Sequence, residues 1–397
     1  MITRRELGFV LSAAAAPAQQ NKLKVAVVGA GVFGTWISHQ LQHAGCSVTL
    51  FDQYGPANAR SSSGGESRLL RVGYGTSKLY SEWAIRSRQV WVDTLKSLSH
   101  GECFVQTGAL WFIRPDDAYG IASLKTLKGL DWPFEIFDHA ELHRRYPGIR
   151  VPSSCQGVLE PLSGALLGRR AVAAVFADFV GKGGLFVPSK VALDGETLLM
   201  GGQKLVFDRI VAAAGPWLPK LLPAVIGNKI KPTRQQIMFF GVPPGSQTFA
   251  AGQFPAWVDF TDSRIPYGFP DIEARGFKVS FDRHGAAVDP DTEERIPSAL
   301  IVKEARQYLG SRFPALAKSP LVESRICQYE NTDSGDFVMD WHPESKRVFI
   351  AGGGSGHGFK HGPAVGEHVS KVLTGREALI DRFRIPNASR TGSRDVH

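Results

Sequence analysis

Cysteine is scarce here: Cys46, Cys103, Cys155 and Cys327 are the only four in 397 residues. None follows a C-x-x-C or Cys/His metal-ligand spacing, and so few cannot carry a disulfide framework. Long apolar runs are also missing. No stretch approaches the ~18 consecutive apolar residues of a membrane span. Runs of basic residues are absent despite a net charge of +9 and a pI near 9.4. Lys and Arg are mixed with acids along the whole chain, which argues against a nucleic-acid binder. A diffuse basic field that draws in small anions fits better. His342, His357 and His361 show no ligand spacing with carboxylates, so no metal site is expected. No internal repeat is visible.

What is present is ample apolar material, 43% of the residues, with 43 Gly and 24 Pro. The chain exceeds the roughly 250–300 residues at which a single core stops growing. Two interleaved domains of α/β (α+β) type are expected, rich in turns.

Residues 1–20 read as a targeting segment. Arg4 and Arg5 form a basic start, Leu7 to Ala16 is apolar, and Ala16-Pro17-Ala18 is a small-x-small cleavage site. The arginine pair resembles a bacterial twin-arginine signal, with Leu7 where Phe is commonest. Export to a periplasm is expected; without processing the chain would be cytoplasmic. The stretch 386–397 is polar and reads as a loose tail.

Lys24-Val25-Ala26-Val27-Val28 is a buried-strand pattern followed at once by Gly29-Ala30-Gly31-Val32-Phe33-Gly34. A helical stretch follows, with Trp36, Ile37, Leu41 and Ala44 on one face. Gly45 stops it, and Ser47 to Phe51 is a second strand ending at Asp52. This is a complete Rossmann βαβ unit. Gly29 permits the tight turn, Gly31 lets backbone approach a pyrophosphate, and Gly34 lets helix and strand pack. The helix N-terminus suits phosphate, and Asp52 suits ribose hydroxyls. Two further pieces favour FAD over NAD. Asp208 to Trp217 is a strand, a small-residue turn at Gly215 and an aromatic, resembling the second FAD contact of the glutathione-reductase-like class. Arg347 to Gly358 is a strand running into a turn with Gly354, Gly356 and Gly358, before a helix from near Pro363 to about Leu373.

With Ser67-Arg68-Leu69-Leu70-Arg71-Val72-Gly73-Tyr74-Gly75, Thr107-Gly108-Ala109-Leu110, Tyr267-Gly268-Phe269-Pro270, Gly276-Phe277-Lys278, Cys327-Gln328-Tyr329 and Ser355-Gly356-His357-Gly358-Phe359-Lys360, the chain resembles the D-amino-acid-oxidase-like superfamily of FAD enzymes over roughly 23–385. The branch it is most similar to holds monomeric sarcosine oxidase, N-methyltryptophan oxidase and L-pipecolate oxidase. The resemblance implies that Arg71 and Lys360 clamp a substrate carboxylate and that Arg68 lies beside the flavin ring. It implies that Tyr267 and Tyr329 wall the substrate pocket and that Lys278 activates dioxygen. It also implies that Cys327 bonds through sulfur to the flavin 8-methyl group. Read without the resemblance, Arg71 and Lys360 would be surface ion-pairing residues, Lys278 a solvent-facing lysine on an alternating strand, and Cys327 inert core.

Two departures stand out. Relatives that oxidise sarcosine carry histidines where this chain has Gly64 and Asp282. If Asp282 lines the pocket, its charge favours a second cationic group on the substrate. The plainer reading, a turn residue before Arg283-His284-Gly285, is preferred.

The expected architecture is a discontinuous FAD domain (21–90, 150–220 and 325–385) and a substrate domain (91–149 and 221–324) on a mixed, largely antiparallel sheet. The expected function is oxidation of a secondary or N-substituted α-amino acid to an imine, with dioxygen reduced to hydrogen peroxide. The alternatives are a dehydrogenase passing electrons to a quinone or carrier, and a non-catalytic flavin-binding protein. The expected partners are a small amino-acid or amine substrate and dioxygen, with the chain a monomer.

Overall fold

The computed structural model describes residues 22–283 and 285–386. The export signal read in residues 1–20 and the tail beyond 386 lie outside them. Two sheets organise the molecule. The first has six strands in the order Val338–Trp341, Val348–Gly352, Arg209–Ala212, Lys24–Val28, Ser47–Phe51, Leu185–Val187. All neighbours are parallel except the first pair. Its strands are near-continuous apolar runs because both faces are covered: helices Val32–His43, Gly168–Gly181 and Gly362–Leu373 pack on one, and the three-stranded sheet of Ala192–Asp194, Thr197–Met200 and Gln203–Leu205 packs on the other. Val25, Ala26 and Val27 are fully buried.

The Rossmann helix, Val32–His43, presents Trp36, Ile37 and Leu41 to the core, while Ala44 is only half-buried. Its entry is tight. A Cβ on Gly34 would lie 1.7 Å from the Gly29 carbonyl oxygen, and Gly29 has φ +108°. No side chain fits at the first position and few tolerate the second. The C-terminal helix, Gly362–Leu373, crosses the Rossmann helix closely. Cβ atoms on Gly362 and Gly366 would come within 2.6 and 2.7 Å of Trp36.

The second sheet has eight strands: Leu321–Asn331, Lys231–Phe240, Phe277–Phe281, Pro266–Phe269, Ala256–Asp259, Ala109–Ile113, Gln156–Glu160 and Glu135–Phe137. Only Ala256–Asp259 and Ala109–Ile113 run parallel, so it is the mixed, largely antiparallel sheet expected. The chain passes between the sheets more often than the expected segments imply. Gln156–Glu160, grouped above with the FAD-binding segments, pairs in the eight-stranded sheet. Phe104–Val105, grouped with the substrate domain, shares a small sheet with Gly164–Leu166 and Arg68–Leu70. The long strand Leu321–Asn331 runs straight across the boundary placed at 324/325. Residues of the strand Phe277–Phe281 are buried on both faces, because the stretch around Ser67 covers the one that Lys278 occupies. Among the described residues, no helix is long and apolar enough to cross a membrane.

Candidate active site

Two cavities abut in the cleft between the sheets. One, of about 1380 Å³, is lined by Gly29, Gly31, Asp52 and Gly215. The other, of about 1130 Å³, is lined by Arg68, Arg71, Tyr267, Tyr329, Cys327 and Lys360, with Gly354, Gly356 and Gly358. They share walls made by Val32, Phe33, Ser62, Ser63 and Glu330. Through those shared walls they form one continuous space, with the glycine turns at one end and the buried cations at the other.

The first cavity is shaped chiefly by backbone. Gly31 faces it with room beside its Cα; a Cβ there would meet only the Ser63 hydroxyl, at 3.4 Å. Ser63 Oγ accepts the Val32 N–H at 2.9 Å, at the start of the helix. Asp52 accepts from the Ala30 and Tyr54 N–H groups, each at 2.8 Å, and lines the cavity. Burial raises its pKa, and those backbone donors oppose the rise. The glycine cradle, a helix N-terminus and a carboxylate at the second strand's end fit FAD.

The second cavity is charged. Arg71 and Lys360 are both about 4% exposed and both lie over the Tyr74 ring, each 5.0 Å from its centroid. Lys360 reaches Tyr74 from 286 positions away and donates Nζ–H to its hydroxyl at 2.7 Å. The Tyr74 hydroxyl lies 2.9 Å from His361 Nε2. Burial, then the charges of Lys360 and Arg71, push His361 well below the ordinary histidine range, so the ring is neutral. The Tyr74 oxygen accepts from Lys360, and His357 Nδ1 lies 3.3 Å from the same hydroxyl. Arg71 donates to the Gly73 carbonyl and to the Tyr119 hydroxyl. Burial opposes its charge, but Tyr119, Tyr74 and Glu160 outweigh burial and raise its pKa.

Arg68 is fastened to the Ser67 and Ser62 carbonyls at 2.9 and 2.6 Å. Lys278 sits behind it and is not part of the cavity wall. At 1% exposure, its ammonium donates to the Ser67 carbonyl at 3.0 Å and hydroxyl at 3.1 Å. Burial, then the Arg68 charge, depresses it well below the ordinary lysine range, while the Cys327 thiol acts in the opposite sense. Cys327 is half-buried and lines the cavity; Cys46, Cys103 and Cys155 are buried and do not. The Tyr267 and Tyr329 hydroxyls are 3.1 Å apart. Burial raises both pKa values, that of Tyr329 more strongly.

The preferred reading of Asp282 is overturned. It lines the second cavity, and its charge acts on both Tyr267 and Tyr329. Its backbone N–H pairs with the Ile265 carbonyl at 3.0 Å, which continues the sheet one residue past Phe281 and turns the side chain inward. Gly64, the other departure, lines neither cavity, and a Cβ there would lie 2.1 Å from the Asn58 carbonyl. Among the described residues, two groups of three ligand-type side chains lie away from both cavities. In the first, His39, His43 and Asp178, Lys182 ion-pairs with Asp178 at 2.7 Å. In the second, His100, Glu102 and Cys103, burial raises the Cys103 thiol to about 11. Neither is read as a metal site. Ser63, His361 and Glu330 carry no signal of their own, and Tyr74 stands in the Ser67 to Gly75 motif without a role read for it. The Ser61-Ser62-Ser63-Gly64-Gly65 run before Arg68 was the only hint of a close-fitting loop.

The profile of the DAO family, FAD dependent oxidoreductase, matches residues 24–372. The chain is 29% identical to monomeric sarcosine oxidase of Bacillus sp. (strain NS-129), over 88% of this chain and 92% of that protein. It is 26% identical to N-methyl-L-tryptophan oxidase of Yersinia pestis (strain Pestoides F), over 89% and 96%. The fold is that of L-proline dehydrogenase from P. horikoshii, with a TM-score of 0.79 at 19% identity, covering 91% of this chain and 96% of that one.

Proposed function

Because the chain belongs to the DAO family of FAD dependent oxidoreductases, we propose that it oxidises a secondary or N-substituted α-amino acid to an imine, with dioxygen as electron acceptor. The observation that carries this reading is the pair Arg71 and Lys360, two buried cations facing one tyrosine in the wall of one cavity. Buried like charges are costly, and an anion between them repays the cost. An α-carboxylate matches: Arg71 offers a planar fork, Lys360 a point charge, and Tyr74 holds the ammonium in place. The apolar wall of Val258, Phe260 and Ile265 excludes water from the rest of the substrate.

FAD fits the glycine-lined cavity, with Gly29, Gly31, Asp52 and Gly215 at the nucleotide end and Arg68 and Cys327 at the other. The chemistry it supplies when bound is hydride removal from a substrate C–H and delivery of the electrons onward. Cys327 would hold it covalently, as the cysteine that faces the cavity. Lys278, behind Arg68, supplies a proton or a positive charge where dioxygen acquires negative charge. Asp282 supports a finer reading, a substrate with a second cationic group. We also propose export through the twin-arginine-like segment, which cell fractionation tests.

An anaerobic screen of N-methyl and cyclic amino acids, followed by flavin bleaching, tests the reaction class. Bleaching by secondary α-amino acids, and not by matched amines lacking the carboxylate, is expected. Equal bleaching by both would overturn the carboxylate clamp. An oxygen electrode then separates oxidase from dehydrogenase. Acid precipitation tests attachment: yellow colour stays in the pellet if Cys327 carries the flavin, and is released in Cys327→Ala.

A further inference from the structure

The strand Leu321–Asn331 reaches from the large sheet to where two Rossmann strands end, and it delivers Glu330 to that point. Glu330 is nine-tenths buried and lines both cavities at their junction. Its Oε1 accepts one N–H, from Gly354, at a long 3.3 Å. Its Oε2 is buried and has no hydrogen-bond partner among the described residues. Three glycines leave room around the carboxyl. A Cβ on Gly215 would lie 3.3 Å from Oε2, one on Gly352 3.7 Å from Oε2, and one on Gly354 3.0 Å from Oε1. Each of these glycines comes from a turn or strand end of the cofactor-binding sheet. An acid with one weak partner and an orphaned oxygen is costly to bury unless something satisfies it.

We propose that Glu330 is a cofactor-binding residue: as an uncharged acid, it donates its O–H to the phosphate-and-polyol link that joins the two halves of a flavin dinucleotide. The nucleotide half suits the glycine-lined cavity and the ring half the cavity of Arg68 and Cys327. The link between them must pass the junction. A carboxylate there would repel a phosphate and could not donate to it, whereas a carboxylic acid does both jobs required. Burial supports the uncharged form by raising Glu330 to about 7, against a weak opposing effect of the Gly354 N–H. Below that pH the acid is protonated even before a ligand arrives, and a bound phosphate extends the range upward.

Other ionisable groups face the same space. On the nucleotide side they are Asp52, Tyr54, Lys190, Lys220 and Asp291. On the other side they are Arg68, Arg71, Lys360, Asp282, Cys327, Tyr267, Tyr329 and His357. A comparison of Glu330 with an isosteric amide subtracts all of them, since the amide keeps the donor and cannot ionise.

The test uses the full chain with Cys327→Ala, so that FAD exchanges, and reads FAD affinity by flavin fluorescence from pH 6 to 9. With Glu330 present, affinity should weaken above about pH 7, by up to about tenfold per pH unit until the bound acid itself ionises. Glu330→Gln should bind FAD as tightly at pH 6 and lose that pH dependence. Glu330→Leu, similar in size but without a donor, should bind about tenfold more weakly at pH 6. Equal affinities for the Gln and Leu variants would overturn the proposal, as would the same pH slope in parent and Gln variant. If the Leu variant does not fold, the comparison of parent with Gln decides alone. The thermal midpoint of the purified holoprotein with Cys327 intact gives a second reading: Gln should match the parent at pH 6 and exceed it at pH 9.

Discussion

At the glycine end of the nucleotide cavity the protein offers main chain: glycines at 29, 31 and 215, helix N–H groups, and a carboxylate already engaged by two of its own amides. Around the adjoining cavity it offers side chains, several of them buried and charged, drawn from segments far apart in sequence. The difference follows from what each must hold. A nucleotide's phosphates need close approach and diffuse partial charge, which backbone supplies without desolvating any side chain. A small carboxylate needs full charges, and these are stable in a buried cleft only with defined partners. Lys360 has such a partner in Tyr74. Lys278, equally buried, has the Ser67 carbonyl and hydroxyl and the face of Phe269, and burial, then the Arg68 charge, lowers its proton affinity. Backbone sites should therefore fail through bulk, and side-chain sites through loss of charge.

The largest effect is expected at Gly34. Its added Cβ meets backbone at 1.7 Å, which cannot give way. Gly34→Ala should abolish soluble, flavin-loaded protein, whereas Gly181→Ala, with nothing within 4 Å, should leave yield and thermal midpoint unchanged or slightly improved. Absorbance of purified protein at the flavin bands reads both; normal flavin content in Gly34→Ala would show that the strand–helix turn is more plastic than described.

Next in size is Lys278→Met, which keeps length and removes the charge. Reoxidation by dioxygen should slow about 10²–10³-fold while anaerobic reduction by substrate keeps most of its rate, as stopped-flow mixing would show. The depressed proton affinity adds a sign. The wild-type oxygen reaction should decline as pH rises through the lowered Lys278 pKa, and the Met variant should lack that decline. Equal loss in both half-reactions would make Lys278 a structural residue holding Ser67 and Arg68.

Lys360→Met should weaken binding of simple carboxylates and of substrate about tenfold to a hundredfold, a loss of about 1.5–3 kcal/mol. Titration of the flavin spectrum with a carboxylate that lacks an amine measures it without turnover. Unchanged affinity would leave Arg71 as the sole carboxylate ligand.

The smallest effect is expected at Asp282. Asp282→Asn should reduce preference for carboxylates bearing a distal ammonium, such as an ω-amino acid, over alkyl carboxylates of equal length by about three- to tenfold. If the ratio of the two dissociation constants does not move, Asp282 acts only on the Tyr267–Tyr329 pair.

Much of the cofactor half was legible because its information is local. Strand, glycine turn, helix and Asp52 follow one another in a single stretch, and covalent continuity forces them together in space. The two later strands were legible for the same reason, each running into its own small-residue turn. The substrate half was legible only as residues with named chemistry. No periodicity shows that Lys278, on an alternating strand, has its polar-looking face covered by Ser67, since burial there depends on a segment 211 positions away. Nor could local pattern show that Asp282 continues the strand register and turns inward, because a hydrogen bond to Ile265, just before the neighbouring strand, decides that. Glu330 was silent altogether. A glutamate near a strand end reads as solvent-facing until the fold brings three glycines from another sheet around it. By itself the sequence determined the dinucleotide motif, the two-sheet division of labour and the roster of cations. Tertiary structure alone decided which charges are buried, what each one faces and where the two cavities meet, because desolvation and proximity belong to the packed chain and not to any segment of it.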